Sequence, residues 1–562
     1  MKKQVNKPKT DNQNRIDLSS MSRNELERYA ANLQTEVSGL SAKLTWYEEQ
    51  FKLSQAKKFG QSSEAQYAGQ MTLDDFMLFN EAEALREPMN FEPKEEDILK
   101  TNRKKGKHKK NIVSLPVIST VYELSEEEQV CPNCGNALHE MKTEERIEIE
   151  VIPAKVQVHK HISKVYACRN CEKEGNATIV KPSSVPVPVI PKSMASSSLI
   201  ADIISKKYVD ATPFYRQEAN YKRQNIPISR NNMCNWAINV ANNYFKHITD
   251  MMRDILYKEG VIHCDETHVE VLHEPGRQAY TKSYVWVTTT AEFQKEHPIA
   301  LYKYTEDRSD SSARRVLKGY KGYIMCDGYQ VYTSIAKPGK KGEEAMDVKA
   351  VACMVHVRRN FVDALKLLPK DKRKGTSAQT AVNMISRIFD IDNNLNGLTP
   401  EERYKARITS GKDGELCLMQ ALEQFFAWVK DEADVSLPKT RYGKALTYAL
   451  DQEDKVMRVL KDGRLELDNS LAERTVKPFV IGRKNWLFSN TPAGADASCI
   501  LYSIIETAKL NNLIPYEYIK YVLDTMPSMI LNEKNIKSLL PWSKSIPDYV
   551  KVAEHKNIDV NE

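Results

Sequence analysis

At 562 residues, with 41% hydrophobic and 28% charged side chains, the chain is too long for one ordinary domain, and several are expected. A formal net charge of +7 suggests an acidic partner such as nucleic acid without requiring one. No apolar run is long enough to span a bilayer, and the N-terminal MKKQVNKPKTDNQNR lacks the apolar core of a secretory signal, so a cytoplasmic protein without membrane contact is expected.

Residues 1–20 are polar and read as disordered. A helix is predicted over residues 21–60. Leu26, Leu33, Leu40 and Tyr47 occupy one heptad position, and Ala30, Val37, Leu44 and Phe51 another. That repeat predicts a coiled coil, and with it a homo-oligomer. Residues 61–120 read as a linker. They contain the basic cluster RKKGKHKK at 103–110, which suits either a solvated segment or phosphate contact.

Residues 121–180 hold two CxxC motifs, Cys131–Cys134 and Cys168–Cys171. Each can place two thiolates about one ion, and together they complete a tetrahedral Zn²⁺ site, structural because no position stays open. The long spacer reads as β-rich, with alternation over Arg146–Val151 and Val156–Tyr166. The other six cysteines are scattered in apolar surroundings, which is not a disulfide framework.

A Pro-rich linker is predicted at 181–197. Three helices follow within 198–255: Ser198–Val209, Thr212–Gln224, and Ser229–Tyr244 with Ser229 as N-cap. Short helices joined by tight turns suit a helix-turn-helix DNA-binding segment and a plain helical subdomain equally.

Residues 256–364 carry the pattern of a mixed sheet. The first strand, Val261-Ile262-His263-Cys264, runs into Asp265 and Glu266. Alternation points these two carboxylates to opposite faces. Strands at Tyr284–Thr288 and Ile299–Tyr304, a helix at Ser311–Leu317, a strand at Tyr323–Cys326 ending on Asp327, and a strand at Lys349–Met354 complete the set. This is the order of an RNase H-like fold, in which the first and fourth strands are neighbours. Asp265 and Asp327 then lie side by side, and two such charges call for a cation between them. Residues 365–460 read as a helical insertion. In residues 461–495 a third carboxylate is available from Glu466, Asp468 or Glu473, and spacing does not choose among them; Ser470 and Glu473 also fit a capping box. Residues 496–562 read as a helical tail.

The segments HCDETHVEVL, MCDGYQVY, CMVHVRRNF and DNSLAERTVKPFVIGRKNWLFSNTPAGADAS closely resemble the transposases of the insertion sequence 66 family, which are DDE enzymes. The order of parts is similar as well, from about Leu26 to about Pro541. The resemblance implies a multidomain α+β chain with an RNase H-like catalytic core. It makes Asp265, Asp327 and Glu473 the triad for Mg²⁺ (or Mn²⁺), and element ends and target DNA the partners, with accessory proteins of the same element. Ser470 stands where the family usually has a second Asn, away from the triad. The chemistry implied is cleavage and joining of DNA strands by two-metal displacement at phosphorus. His356, Arg358, Arg359, Arg474, Lys477, Arg483 and Lys484 are then candidate phosphate contacts. Trp486 and Phe488 suit either base stacking or core packing. Two other readings compete: a nuclease or resolvase of this fold that cuts without joining, and a DNA-binding regulator without catalysis.

Overall fold

The computed structural model describes residues 156–164, 166–167, 179–180, 185–339, 342–409 and 416–552. The heptad segment, the basic cluster and the four CxxC cysteines lie outside the described residues. The chain divides into two compact units, one containing Met194–Ile546 and the other Ser62–Ser193 with Pro547–Glu562.

In the second unit, Tyr166–Ala167 pairs antiparallel with Ile179–Val180, bracketing the second CxxC in sequence. Of the alternation over Val156–Tyr166, only Tyr166 joins a strand: residues 156–164 carry no regular structure and are exposed. Among the described residues no strand partners them, so their apolar side chains have no face to cover.

The larger unit opens with helices α1 (Ser197–Tyr208), α2 (Phe214–Arg223) and α3 (Arg230–Val240). Ser196 and Ser229 cap α1 and α3 by accepting from Leu199 N and Asn232 N. The third predicted helix runs further than expected. A π-turn, Ala241–Phe245, carries it into α4 (Lys246–Leu256), where Ile248, Met252 and Leu256 are buried. The π-turn shifts the apolar period by one residue, and the asparagines Asn239, Asn242 and Asn243 make the join look like an end.

The core is a five-stranded mixed sheet of β1 (Val261–Glu270), β2 (Lys282–Thr290), β3 (Ala300–Thr305), β4 (Gly322–Cys326) and β5 (Val348–Ala352). Its order is β3-β2-β1-β4-β5. β1–β2 and β2–β3 are antiparallel, whereas β1–β4 and β4–β5 are parallel. Helix α5 (Asp310–Val316) and the single turn α6 (Val331–Ser334) serve the connections on either side of β4. The chain turns helical at Met354, so the last strand is shorter than predicted and α7 (Met354–Lys366) starts at once.

Four helices follow as an insertion: α8 (Ser377–Asn393), α9 (Pro400–Ile408), α10 (Leu418–Val435) and α11 (Arg441–Met457). The apolar stripes of α8, α10 and α11 share one core with α7 and with Val261, Met325 and Val351 of the sheet, whereas the one buried residue of α9 is Arg407. Phe361 and Phe425 meet edge to face there, centroids 6.4 Å apart. Burying each such ring contributes about 1.5–3 kcal/mol. The chain then returns through Gly463 to α12 (Ser470–Trp486), which covers β1 and β2. Helices α13 (Pro492–Leu510), α14 (Pro515–Thr525) and α15 (Glu533–Ser538) complete the unit, with α13 against the edge strand β3. No helix among the described residues is long and apolar enough to cross a membrane.

Gly463 passes so close to α9 that a Cβ there would overlap the Pro400 carbonyl oxygen. Backbone cannot yield as a side-chain tip does. Gly463→Ala is therefore expected to lower stability by about 1–3 kcal/mol in thermal or denaturant unfolding; an unchanged transition would show that the turn relaxes freely.

Candidate active site

Along β1, the register with β4 sets His263 opposite Met325. Two residues further on each parallel strand, Asp265 and Asp327 emerge on the same side of the sheet. Asp327 is the first residue past β4, and its Oδ1 accepts from Tyr329 N at 2.8 Å, which turns the chain towards α6. α12 covers the Asp265 face: Asn469, just before it, bonds His263, and Arg483 bonds Thr267. This brings Glu473, in the first turn of α12, to the same place.

The capping box does not form. Asn469, not Ser470, stands at the N-cap, and its side chain makes no capping bond. Glu473 instead faces α7, with Oε1 3.7 Å from His356 Nδ1 and Oε2 3.9 Å from Arg359. Both His356 Nδ1 and Glu473 Oε1 are buried without a hydrogen-bond partner.

Burial pushes the Asp265 carboxyl well above the usual range, and the charges of Glu266, Asp327 and Glu473 push it further. Glu266 faces the other side of the sheet, opposite Trp286. Burial raises its carboxyl to about 7, with Asp327 adding to the rise; Tyr332 and Arg308 oppose it. Tyr332 donates to Glu266 at 2.8 Å, and Arg308 lies 3.8 Å away on the rim. Burial lowers the His356 pKa, and Glu473 opposes that. The cluster thus gathers more negative charge than its two rim arginines can offset. Hard oxygen donors in excess are the donor set of a divalent cation such as Mg²⁺ or Mn²⁺, so these residues fit the metal that the resemblance implies.

The two rival carboxylates are turned to other work. Asp468 accepts from Ser470 N at 2.8 Å. Glu466 accepts from Glu292 N and lies 3.6 Å from the buried His263 Nε2. Burial holds His263 down at about 4 and lifts Glu466 to about 7. Asn469 braces the arrangement, taking the His263 ring on Oδ1 while its Nδ2 donates to Cys264 O. Its backbone N–H donates to Cys353 Sγ at the head of α7. β1, the head of α7 and the start of α12 therefore meet at one asparagine.

An acid whose pKa is raised on folding costs stability as pH rises. For Glu466 the cost is absent below about 4.5, grows from 4.5 to about 7, and is complete above that. Gln at this position keeps the acceptor for Glu292 N and can donate to His263 Nε2. Glu466→Gln is expected to raise stability at pH 8 by about 1–3 kcal/mol and to leave it nearly unchanged near pH 4. Unfolding curves at the two pH values check this, and a loss at pH 8 would refute it.

The basic candidates fall into three groups. His356 and Arg359 line the cluster itself, while Arg358 lies partly buried on the same helix. Arg474 and Lys484 are exposed on α12, and Lys477 is partly buried. Arg483 is engaged inside the fold: it donates to Thr267 Oγ1 at 3.1 Å and to His268 O, and burial lowers its pKa to about 10. Trp486 packs edge-on against Phe479 at 5.5 Å, the core-packing alternative; Phe488 is exposed. Glu266, Tyr332, Arg308 and Asn469 were not singled out as site residues from sequence. The paired Asp265-Glu266 was the one available signal, and nothing marks Asn469 apart from an ordinary helix start.

A family model described as Transposase IS66 family matches residues 192–497, more than half of the chain. The chain belongs to the IS66 transposase family. Three further models of the same family match around that core: the zinc-finger binding domain of transposase IS66 at residues 128–172, the IS66 C-terminal element at 503–542, and Transposase C of IS166 homeodomain at 46–119. This is accordingly an insertion-sequence transposase with a zinc-finger domain, and DNA is its partner. Two similar relatives come from Sinorhizobium fredii (strain NBRC 101917 / NGR234). "Uncharacterized protein y4jD" is 27% identical over 77% of this chain and 82% of its own length. "Uncharacterized protein y4qI" is 26% identical over 74% of each.

Proposed function

We propose that this IS66-family transposase cleaves the ends of its element and joins them to target DNA through a DDE triad of Asp265, Asp327 and Glu473, on an RNase H-like core. The observation that carries the reading is the closeness of Asp265 on β1 to Asp327 at the end of β4 and Glu473 on α12, whose charges bear on its carboxyl. The sheet order β3-β2-β1-β4-β5 supports the fold assignment. Asp265, Asp327 and Glu473 would hold Mg²⁺ or Mn²⁺, which when bound would activate a water or the DNA 3′-hydroxyl and neutralise charge on the leaving oxygen.

The chain's own residues then have separable roles. Asp265 and Asp327 are fixed by the sheet, and Glu473 is set against them by Asn469 and Arg483. Arg359, Arg358, Arg474, Lys477 and Lys484 offer positive charge along α7 and α12 for the phosphates either side of the scissile bond. Arg483 contributes by holding α12 to β1. We assign the Zn²⁺ to Cys131, Cys134, Cys168 and Cys171, self-association to the heptads of residues 21–60, and a DNA-facing role to α1–α4, where Lys222, Arg223 and Arg230 are exposed.

The experiment uses labelled linear DNA carrying the element's end, with Mg²⁺ and any accessory proteins of the element. Joined products support the transposase reading in full. Nicked ends that never join support the nuclease reading instead, and end binding without cutting, even in Mn²⁺, supports the regulator.

A further inference from the structure

Cys353, His356 and Glu473 bring one thiol, one imidazole nitrogen and one carboxylate oxygen within 4.8 Å of one another. Their positions explain why. Cys353 is the N-cap of α7, and His356 is the third residue of its first turn. N-cap and N3 side chains meet in space, as they do in a capping box. Glu473 arrives from the first turn of α12, so two helix N-termini face the same point and favour anionic ligands there.

The site has a floor and a mouth. Cys353 is 1% exposed, whereas the side chains of His356 and Glu473 are 23% and 30% exposed. His356 Nδ1 and Glu473 Oε1 are buried, lack hydrogen-bond partners, and stand 3.7 Å apart. Ligands on a tetrahedral ion with bonds of about 2.0–2.3 Å sit about 3.3–3.8 Å from one another. Two orphaned side-chain atoms at that separation, above a sulfur that accepts backbone N–H groups from Asn469 and His356, suit an ion better than they suit each other.

We propose that Cys353, His356 and Glu473 form a second metal site, selective for a borderline-soft ion of the Zn²⁺ class, with a fourth position open to water or a phosphate oxygen. The mixed sulfur, nitrogen and oxygen set separates it from the all-carboxylate cluster beside it. The consequence rests on the reading of Glu473 as a triad member: an ion bound here withdraws Glu473 from Asp265 and Asp327, so zinc opposes the Mg²⁺-dependent reaction.

The probe is Co²⁺, added to the full chain with its zinc-finger cysteines already loaded with zinc. The expected result is a thiolate-to-cobalt absorption band that Cys353→Ser abolishes and that His356→Gln shifts to Co²⁺ concentrations about tenfold higher or more. Asp265→Asn keeps the band, so failure of the triad reading would leave this result standing. The proposal is overturned if the parent shows no band, if the band survives Cys353→Ser undiminished, or if Asp265→Asn removes it. Should Cys353→Ser not fold, His356→Gln decides alone, and an unshifted titration there overturns the site.

Discussion

Asp265→Asn is expected to abolish end cleavage while making the metal-free protein more stable. Asp265 sits among Glu266, Asp327 and Glu473, and burial plus those charges disfavour its ionised form. Asn fills the same space without the charge. In EDTA the variant should gain about 1–2 kcal/mol, seen as a higher unfolding temperature. The sign fixes the pH dependence: a carboxyl raised on folding destabilises more as pH rises through its folded pKa, so the gain is larger at pH 9 than at pH 5. Catalysis moves the other way. Losing a ligand that positions a Lewis acid costs several kcal/mol of transition-state stabilisation, on the order of 10³-fold in rate. Single-turnover cleavage and thermal unfolding of the same preparation check both halves. A rate within tenfold of the parent, or a lower unfolding temperature in EDTA, would show that Asp265 serves the fold rather than the reaction.

Arg407 carries the second large effect, from within the helical insertion. It is fully buried on α9 and donates to both oxygens of Asp392. It also donates to the carbonyls of Val459, Asp462 and Leu465. Those carbonyls belong to the segment that carries the chain from α11 back to Asn469 and α12. Arg407→Met removes the side-chain donor from three carbonyls, of which Asp462 O keeps Leu465 N, and leaves the Asp392 carboxylate with Arg403. The expected cost is about 3–5 kcal/mol in unfolding free energy. Arg407→Lys restores charge without the planar fork and should recover only part of it. Because the clamped segment sets α12, cleavage should fall further than the folded fraction explains. Equal stability of Arg407→Met and parent would remove the clamp from the account.

What was legible in the sequence follows the physics of each element. The five strands announced themselves through short apolar runs ending on turns or carboxylates, and the neighbouring of β1 and β4 followed from their order. Ser229 as a cap was readable because its side chain acts locally. The long-range partners were not. Arg407 reads as one more charge on a polar helix, and only the insertion's packing shows what it holds. Glu473 could not be chosen over Glu466 and Asp468 by spacing, since the choice depends on how α12 lies across β1; the family resemblance chose it. The π-turn after α3 escaped because a one-residue slip leaves no compositional mark. The alternation at Val156–Tyr166 yields a strand only at its end, Tyr166, because period two needs a partner strand as well as a pattern.

Calorimetric titration of the full chain with Mg²⁺, comparing the parent with the double variant Asp265→Asn, Asp327→Asn, tests the metal centre directly. Mg²⁺ takes oxygen ligands and has little affinity for thiol or imidazole, so Cys353 and His356 do not confuse the reading. The double variant is expected to lose the binding seen in the parent, by at least about tenfold in affinity. Identical isotherms for the two proteins would contradict a metal centre built on these carboxylates.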